Sequence, residues 1–216
     1  VIGDGYTGGK NYNQALRVSD GFGVSVSLDG NRLAVGSYLD DGLLANCGNC
    51  GAAYLYSFSD AVFSGTTLES RVGFGFTGTK DINVALGNSD QFGYSVSLDG
   101  NRLAVGALTD DGLGNILTNS GAVYLFTFAD SVFSGGAQQA ILGRSYTGGK
   151  NIDITTLDTS DQFGYSVALK GNQLAVGAPT DDGFGNVRSD AGAVYLFNFA
   201  DSAFTGGVLT AQIGDG

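Results

Sequence analysis

Carboxylates are the side chains with the most chemistry to offer in this sequence, and they come as a repeated pair. Asp-Asp-Gly begins at Asp40, Asp110 and Asp181, so Asp40 with Asp41, Asp110 with Asp111 and Asp181 with Asp182 form three identical doublets. Such a doublet has three uses: an acid with its base, ligands for calcium, or the acceptors that close a turn. Glycoside hydrolysis needs two carboxyl groups flanking one bond, whereas neighbours on a chain point apart. Three copies suit a turn better, with Asp accepting backbone hydrogen bonds and Gly supplying a positive φ. Calcium is the second reading. It takes roughly six to eight oxygens, so the six aspartates would need Asn46, Asn115 or Asn186, joined by Asp20, Asp90 or Asp161. No cofactor is required by any of these residues, and calcium is the one they could hold. The chain has no histidine, which removes His-based acids, bases and triads, and an enzyme is not expected.

Cys47 and Cys50 form a single C-G-N-C, replaced by Leu117 and Ser120 and by Arg188 and Ala191 in the other copies. A structural zinc site takes four ligands, and the chain has no further cysteine to supply them. A local disulfide between Cys47 and Cys50 is expected, which suits an oxidising, extracellular setting; two free thiols, or metal or redox chemistry, are the alternatives. The glycine-rich Tyr146-Thr147-Gly148-Gly149-Lys150 lacks the spacing of a phosphate loop.

Composition narrows the partners. With 10 basic against 21 acidic residues the formal charge is −11, and no Lys/Arg stripe offsets it, so nucleic acid is not an expected partner. No apolar run approaches the roughly 20 residues of a membrane-spanning helix, and no membrane insertion is expected. The sequence opens inside a repeat segment, VIGDGYTGGK, so export signals are expected to have been removed or to lie outside these residues.

The elements that must position these groups belong to one unit used three times. DGFGVSVSLDGNRLAVGS from Asp20, DQFGYSVSLDGNRLAVGA from Asp90 and DQFGYSVALKGNQLAVGA from Asp161 recur at steps of 70 and 71 residues, the signature of a repeat architecture. Tyr94, Val96 and Leu98 alternate with Ser95 and Ser97, the period of a strand. The apolar face resumes at Leu103 and Val105 after Asp99-Gly100-Asn101, which predicts an antiparallel hairpin turning on Asp-Gly. Gly121 to Phe128 predicts a strand buried on both faces, and Ala140 to Gly148 a fourth. Phe63, Phe133 and Phe204 are expected as core aromatics of the connectors.

Phe-Gly, a hairpin, then Gly177-Ala178-Pro179 and Gly192-Ala193-Val194-Tyr195-Leu196-Phe197 resemble the FG-GAP repeat of integrin-α-type β-propellers, in the variety found in long secreted, adhesin-like bacterial proteins. The resemblance covers all three repeats, with Gly-Ala-Pro complete only in the third. It implies an all-β fold of three tandem four-stranded antiparallel propeller-type blades of about 70 residues, at 1–71, 72–141 and 142–216. The family's Asp-x-Asp-x-Asp-Gly calcium loop between the first two strands is missing; Leu98-Asp99-Gly100-Asn101 stands there.

Function is expected to follow from repetition: an extracellular, secreted or cell-surface structural and adhesive protein whose main partner is itself. The alternative is a carbohydrate- or protein-binding module that presents the loops Lys10 to Asp20, Lys80 to Asp90 and Lys150 to Asp161 to a surface glycan or protein. Ile213-Gly214-Asp215-Gly216 repeats Ile2-Gly3-Asp4-Gly5, so the sequence reads as continuing into another copy. Head-to-tail assembly, into a filament or a ring, is expected to use Val1, Ile2, Gly3 and Tyr6 at one end and Ile213 and Gly214 at the other.

Overall fold

The computed structural model describes residues 1–43 and 46–215. Among them all regular structure is β. Strands β1 (Ile2–Gly3) and β2 (Tyr12–Asn13) pair in parallel as a separate two-stranded sheet. Sheet 1 contains β3 (Phe22–Asp29), β4 (Arg32–Ser37), β5 (Ala52–Ser57), β6 (Thr67–Gly73) and β7 (Ile82–Asn83) in that order. Sheet 2 repeats it with β8 (Phe92–Asp99), β9 (Arg102–Ala107), β10 (Ala122–Thr127), β11 (Ala137–Gly143) and β12 (Ile152–Asp153). Sheet 3 has β13 (Ser166–Lys170), β14 (Gln173–Ala178), β15 (Ala193–Asn198) and β16 (Val208–Gly214).

Four antiparallel strands therefore recur three times, but the sheets hold five, five and four strands. The fifth strand, β7 or β12, comes from the following repeat and pairs in parallel with β6 or β11. A two-residue strand carries no period, so nothing in the sequence marked it. Its ladder continues where Val84 N–H donates to Gly73 O and Ile154 N–H to Gly143 O, both at 3.0 Å.

Each hairpin turns one residue later than Asp-Gly predicts. Asp29 pairs with Arg32 and Asp99 with Arg102, leaving Gly-Asn as the two-residue loop, with φ of 59° at Gly30 and Gly100. Positive φ at the first loop position is what a type II′ turn requires. The aspartate instead ends the strand, where its carboxylate pairs with Arg32 or Arg102 across the turn.

The sheets pack face on face. Phe92, Val96, Leu98 and Tyr124 on one face of sheet 2 share a core with Ala34, Ala53, Leu55 and Val72 of sheet 1. On its other face Ala104, Val123, Leu125 and Leu142 pack against Phe163, Leu169, Leu174 and Val176 of sheet 3. Strand β10 is consequently buried on both sides, and β5 is too because Ile2, Tyr12, Leu16 and Phe22 cover its Tyr54 and Tyr56. Serines of the solvent-pattern face bind the next sheet: Ser25 Oγ donates to Gly93 O at 3.0 Å and Ser95 Oγ to Gly164 O at 2.7 Å. Ser27 and Ser97 accept from Leu98 N–H and Leu169 N–H, each at 2.9 Å. The approach is so close that a Cβ on Gly36 would lie 1.8 Å from Gly93 O, and one on Gly106 1.9 Å from Gly164 O.

Candidate functional site

The two aspartates of each doublet do point apart. Asp40, Asp110 and Asp181 turn inward, where one carboxylate oxygen accepts the N–H two residues on, from Gly42, Gly112 or Gly183, at 2.8–2.9 Å. The other accepts the hydroxyl of Tyr54, Tyr124 or Tyr195 at 2.6, 2.7 and 2.5 Å. Asp41, Asp111 and Asp182 each close the loop by accepting the N–H of Asn49, Asn119 or Asp190 at 2.7–2.8 Å. Sequence reasoning missed the tyrosines, although each lies 14 residues after its aspartate in all three repeats.

The structure brings Asp20, Asp90 and Asp161 beside Asp40, Asp110 and Asp181, where each accepts a loop N–H, from Arg17, Gly87 or Asp158, at 2.6–2.7 Å. Of the asparagines, Asn186 donates instead to Asp158, at 2.6 Å. Among the described residues no three acidic, cysteine or histidine side chains are placed to hold a metal. Calcium at Asp40, Asp41, Asp110, Asp111, Asp181 and Asp182 would have to displace the donors that these carboxylates already accept. Paired carboxyls whose oxygens already accept protein donors do not fit an ion that takes roughly six to eight oxygens.

Burial, with the neighbouring Asp110 carboxylate, pushes Asp90 up to about 7. Burial likewise pushes Asp161 up to about 7, against the Asp158 N–H and aided by Asp181, and it raises Asp20. The folded state therefore holds protons on Asp90 and Asp161 that the unfolded chain releases near pH 4. The stability they contribute is fully present below about pH 4 and is lost as pH rises through about 7. Asp60, Asp130 and Asp201 are lowered by donated hydrogen bonds, so they titrate below that window. The thermal midpoint is expected to fall between pH 5 and pH 7.5, both set by that interval; Asp90→Asn with Asp161→Asn should flatten the profile, and an unchanged slope would refute the assignment.

Cys47 and Cys50 are free, buried thiols in the structure rather than the expected disulfide. Each sulfur is engaged with backbone carbonyls: Cys47 Sγ lies 3.5 Å from Gly87 O and Cys50 Sγ 3.6 Å from Asp40 O. Burial raises both thiols above their ordinary range, which disfavours the thiolate that oxidation requires.

Two open faces flank the stack of sheets. On the leading face, Val24, Val26 and Leu28 of β3 are exposed; Val26 is 64% accessible, whereas its counterpart Val96, covered by sheet 1, is 7%. On the trailing face Val194 and Ile213 are exposed, while their counterparts Val123 and Leu142 are fully buried against sheet 3. A recess of about 360 Å³ there is lined by Ser166, Gly177, Gly192 and Val194. The corresponding glycines receive the next Phe-Gly inside the chain, as Gly51 bridges Phe92 and Gly121 bridges Phe163. Of the end residues singled out above, Val1, Tyr6 and Ile213 are exposed. Ile2 packs beside Tyr12 on the core of sheet 1, Gly3 is buried, and Gly214 pairs with Ala193 at the outer edge of sheet 3.

Phe63 departs from the expected core role. Phe133 and Phe204 are fully buried and Phe63 is exposed, because Arg32 and Arg102 of the preceding sheet lie over the other two rings.

No curated protein matches the chain. The family profile described as FG-GAP repeat matches residues 17–56, 87–126 and 157–197, each match running from the loop before Phe-Gly through the hairpin and the Asp-Asp-Gly loop to the third strand. Together these matches cover more than half of the chain and coincide with the three sheets, so the chain belongs to the FG-GAP repeat family.

Proposed function

We propose that this chain is an extracellular structural and adhesive repeat protein whose sheets act as four-stranded propeller-type blades and which assembles head to tail with further copies. One observation carries this reading: the two exposed apolar faces are the two halves of a joint that occurs, filled, twice within the chain. Val24, Val26 and Leu28 match the residues that sheet 1 covers on β8, and Val194 and Ile213 match those that cover β13. Apolar patches of this kind mark association surfaces, and a heterologous contact that repeats gives a filament unless its rotation closes a ring.

The seam between copies would be weaker than the internal joints. Ala168 stands where Ser27 and Ser97 accept a backbone N–H, and Lys170 where Asp29 and Asp99 accept those of Gly100 and Gly171. Reversible association at micromolar or higher concentration suits such a seam.

Light scattering on the full chain tests the reading at an ionic strength that screens repulsion between copies of charge −11. Mass should rise with concentration, and deleting residues 1–8 or introducing Val26→Asp should return it to the monomer, since the aspartate would be buried unpaired in the joint. A parent chain that stays monomeric up to millimolar concentration would refute the proposal.

A further inference from the structure

Three tyrosines, one from each repeat, form a stripe that crosses both internal joints: Tyr38 meets Tyr94, and Tyr94 meets Tyr165. Tyr94 and Tyr165 hold the same place after Phe-Gly in the second and third repeats, where the first has Val24. The first repeat brings Tyr38 to the stripe instead, from the residue that follows β4. Gly21 makes room for that ring, since a Cβ there would lie 2.4 Å from Tyr38 Cε1. The other repeats have Gln91 and Gln162 at the glycine's place, with Leu108 and Pro179 at that of Tyr38.

The two contacts of the stripe differ in geometry. Tyr38 stands edge-on to Tyr94, with ring centroids 5.5 Å apart and planes at 90°, an ordinary packing of aromatic rings. Tyr94 and Tyr165 are closer, at 5.0 Å, and inclined at 52°. Elsewhere tyrosine meets tyrosine at 5.7 Å and 74° (Tyr12 with Tyr56) and at 6.5 Å and 66° (Tyr124 with Tyr146). In those pairs the hydroxyl of Tyr56 is held by Gln14 and those of Tyr124 and Tyr146 by Asp110. At the Tyr94–Tyr165 contact the phenols act on each other: the Tyr165 hydroxyl beside it, with burial, pushes Tyr94 up to about 12. Rings that approach with their hydroxyls adjoining bring the ortho Cε carbons to the facing edges. Tyr94 is only half-buried, and Tyr165 lies in the bend before β13, off the ladder, where its ring can close the remaining distance.

We infer that Tyr94 and Tyr165 are a cross-linking site, joined through their Cε carbons as dityrosine when a haem peroxidase and hydrogen peroxide supply the oxidation. Each phenol gives up one electron and its hydroxyl proton. The two radicals form one Cε–Cε bond, and the hydrogens on those carbons move to the oxygens and restore both phenols. Two electrons and two protons leave in all and reduce one hydrogen peroxide to two waters. Holding the rings in contact replaces a chance encounter of radicals by a reaction within one molecule. The bond would tie β8 to the segment that enters β13, and so sheet 2 to sheet 3, closing a long loop of the unfolded chain as a disulfide does. The contact lies within the chain and needs no second copy.

The test treats the dilute full chain with a haem peroxidase and hydrogen peroxide. Dityrosine fluorescence should appear in the monomer. After reduction of any disulfide between Cys47 and Cys50, the intact mass should be lower by two hydrogens, and a tryptic digest should join the peptide of Tyr94 to that of Tyr165. Tyr94→Phe and Tyr165→Phe keep the ring and remove the phenol, so each should abolish this product, whereas Tyr38→Phe should retain it. Unfolding in urea before oxidation should also suppress it, because the two residues then separate. Fluorescence of the monomer that persists in either the Tyr94→Phe or the Tyr165→Phe chain, a digest that joins other tyrosines, or an equal yield from the unfolded chain overturns the inference.

Discussion

Replacing Gly106 with alanine is expected to destabilise the chain by about 3 kcal/mol or more, because the new methyl group cannot be accommodated without separating two sheets. Its Cβ would lie 1.9 Å from Gly164 O and 2.9 Å from Gly164 C, both backbone atoms of the next sheet's Phe-Gly. Nothing flexible is there to yield. Gly36 faces Gly93 O at 1.8 Å in the same way and should behave alike. Gly177, the third member of the series, meets only the Ser166 side chain, its hydroxyl at 2.4 Å and its Cβ at 3.7 Å. Rotation of that hydroxyl relieves the contact, so Gly177→Ala should cost about 0.5 kcal/mol or less. Yet if further copies dock on the trailing face as sheet 3 docks on sheet 2, Gly177→Ala must abolish association while leaving the fold intact. Urea unfolding measures the first effect and light scattering the second; a Gly106→Ala chain as stable as the parent would contradict the joint geometry.

The second large effect is expected at Asp110. Its carboxylate accepts the Gly112 N–H and the hydroxyls of Tyr124 and Tyr146 in a buried site. Alanine there leaves three buried donors without an acceptor, each costing about 1–3 kcal/mol, so a loss of about 3–5 kcal/mol is expected after relaxation. The series should be graded. Asp181 serves one hydroxyl, that of Tyr195, beside an open cavity that admits water, so Asp181→Ala should cost less than half as much. Equal losses at the two positions in denaturant unfolding would show that the tyrosine of the following repeat contributes nothing at Asp110.

Much of this was legible in the residues themselves. Alternation of Val96 and Leu98 with Ser95 and Ser97 determined strands and their faces, because side chains on a strand must alternate. Three copies of Asp-Asp-Gly determined turns, because glycine relieves the strain of positive φ and aspartate closes a short ring with its own backbone. The family, too, was carried by local motifs.

Only the tertiary structure decided which carboxylates meet. Asp90 and Asp110 are 20 residues apart, and Tyr146 reaches Asp110 from another repeat; no local spacing encodes a contact made by stacking sheets. It likewise placed Cys47 and Cys50 in buried positions against backbone carbonyls, and added a two-residue parallel strand to each of the first two sheets. The most consequential difference lies between identical motifs. Val26 and Val96 occupy the same place in the same repeat, yet one is exposed and the other buried, because burial belongs to the neighbour that covers a face and not to the face itself.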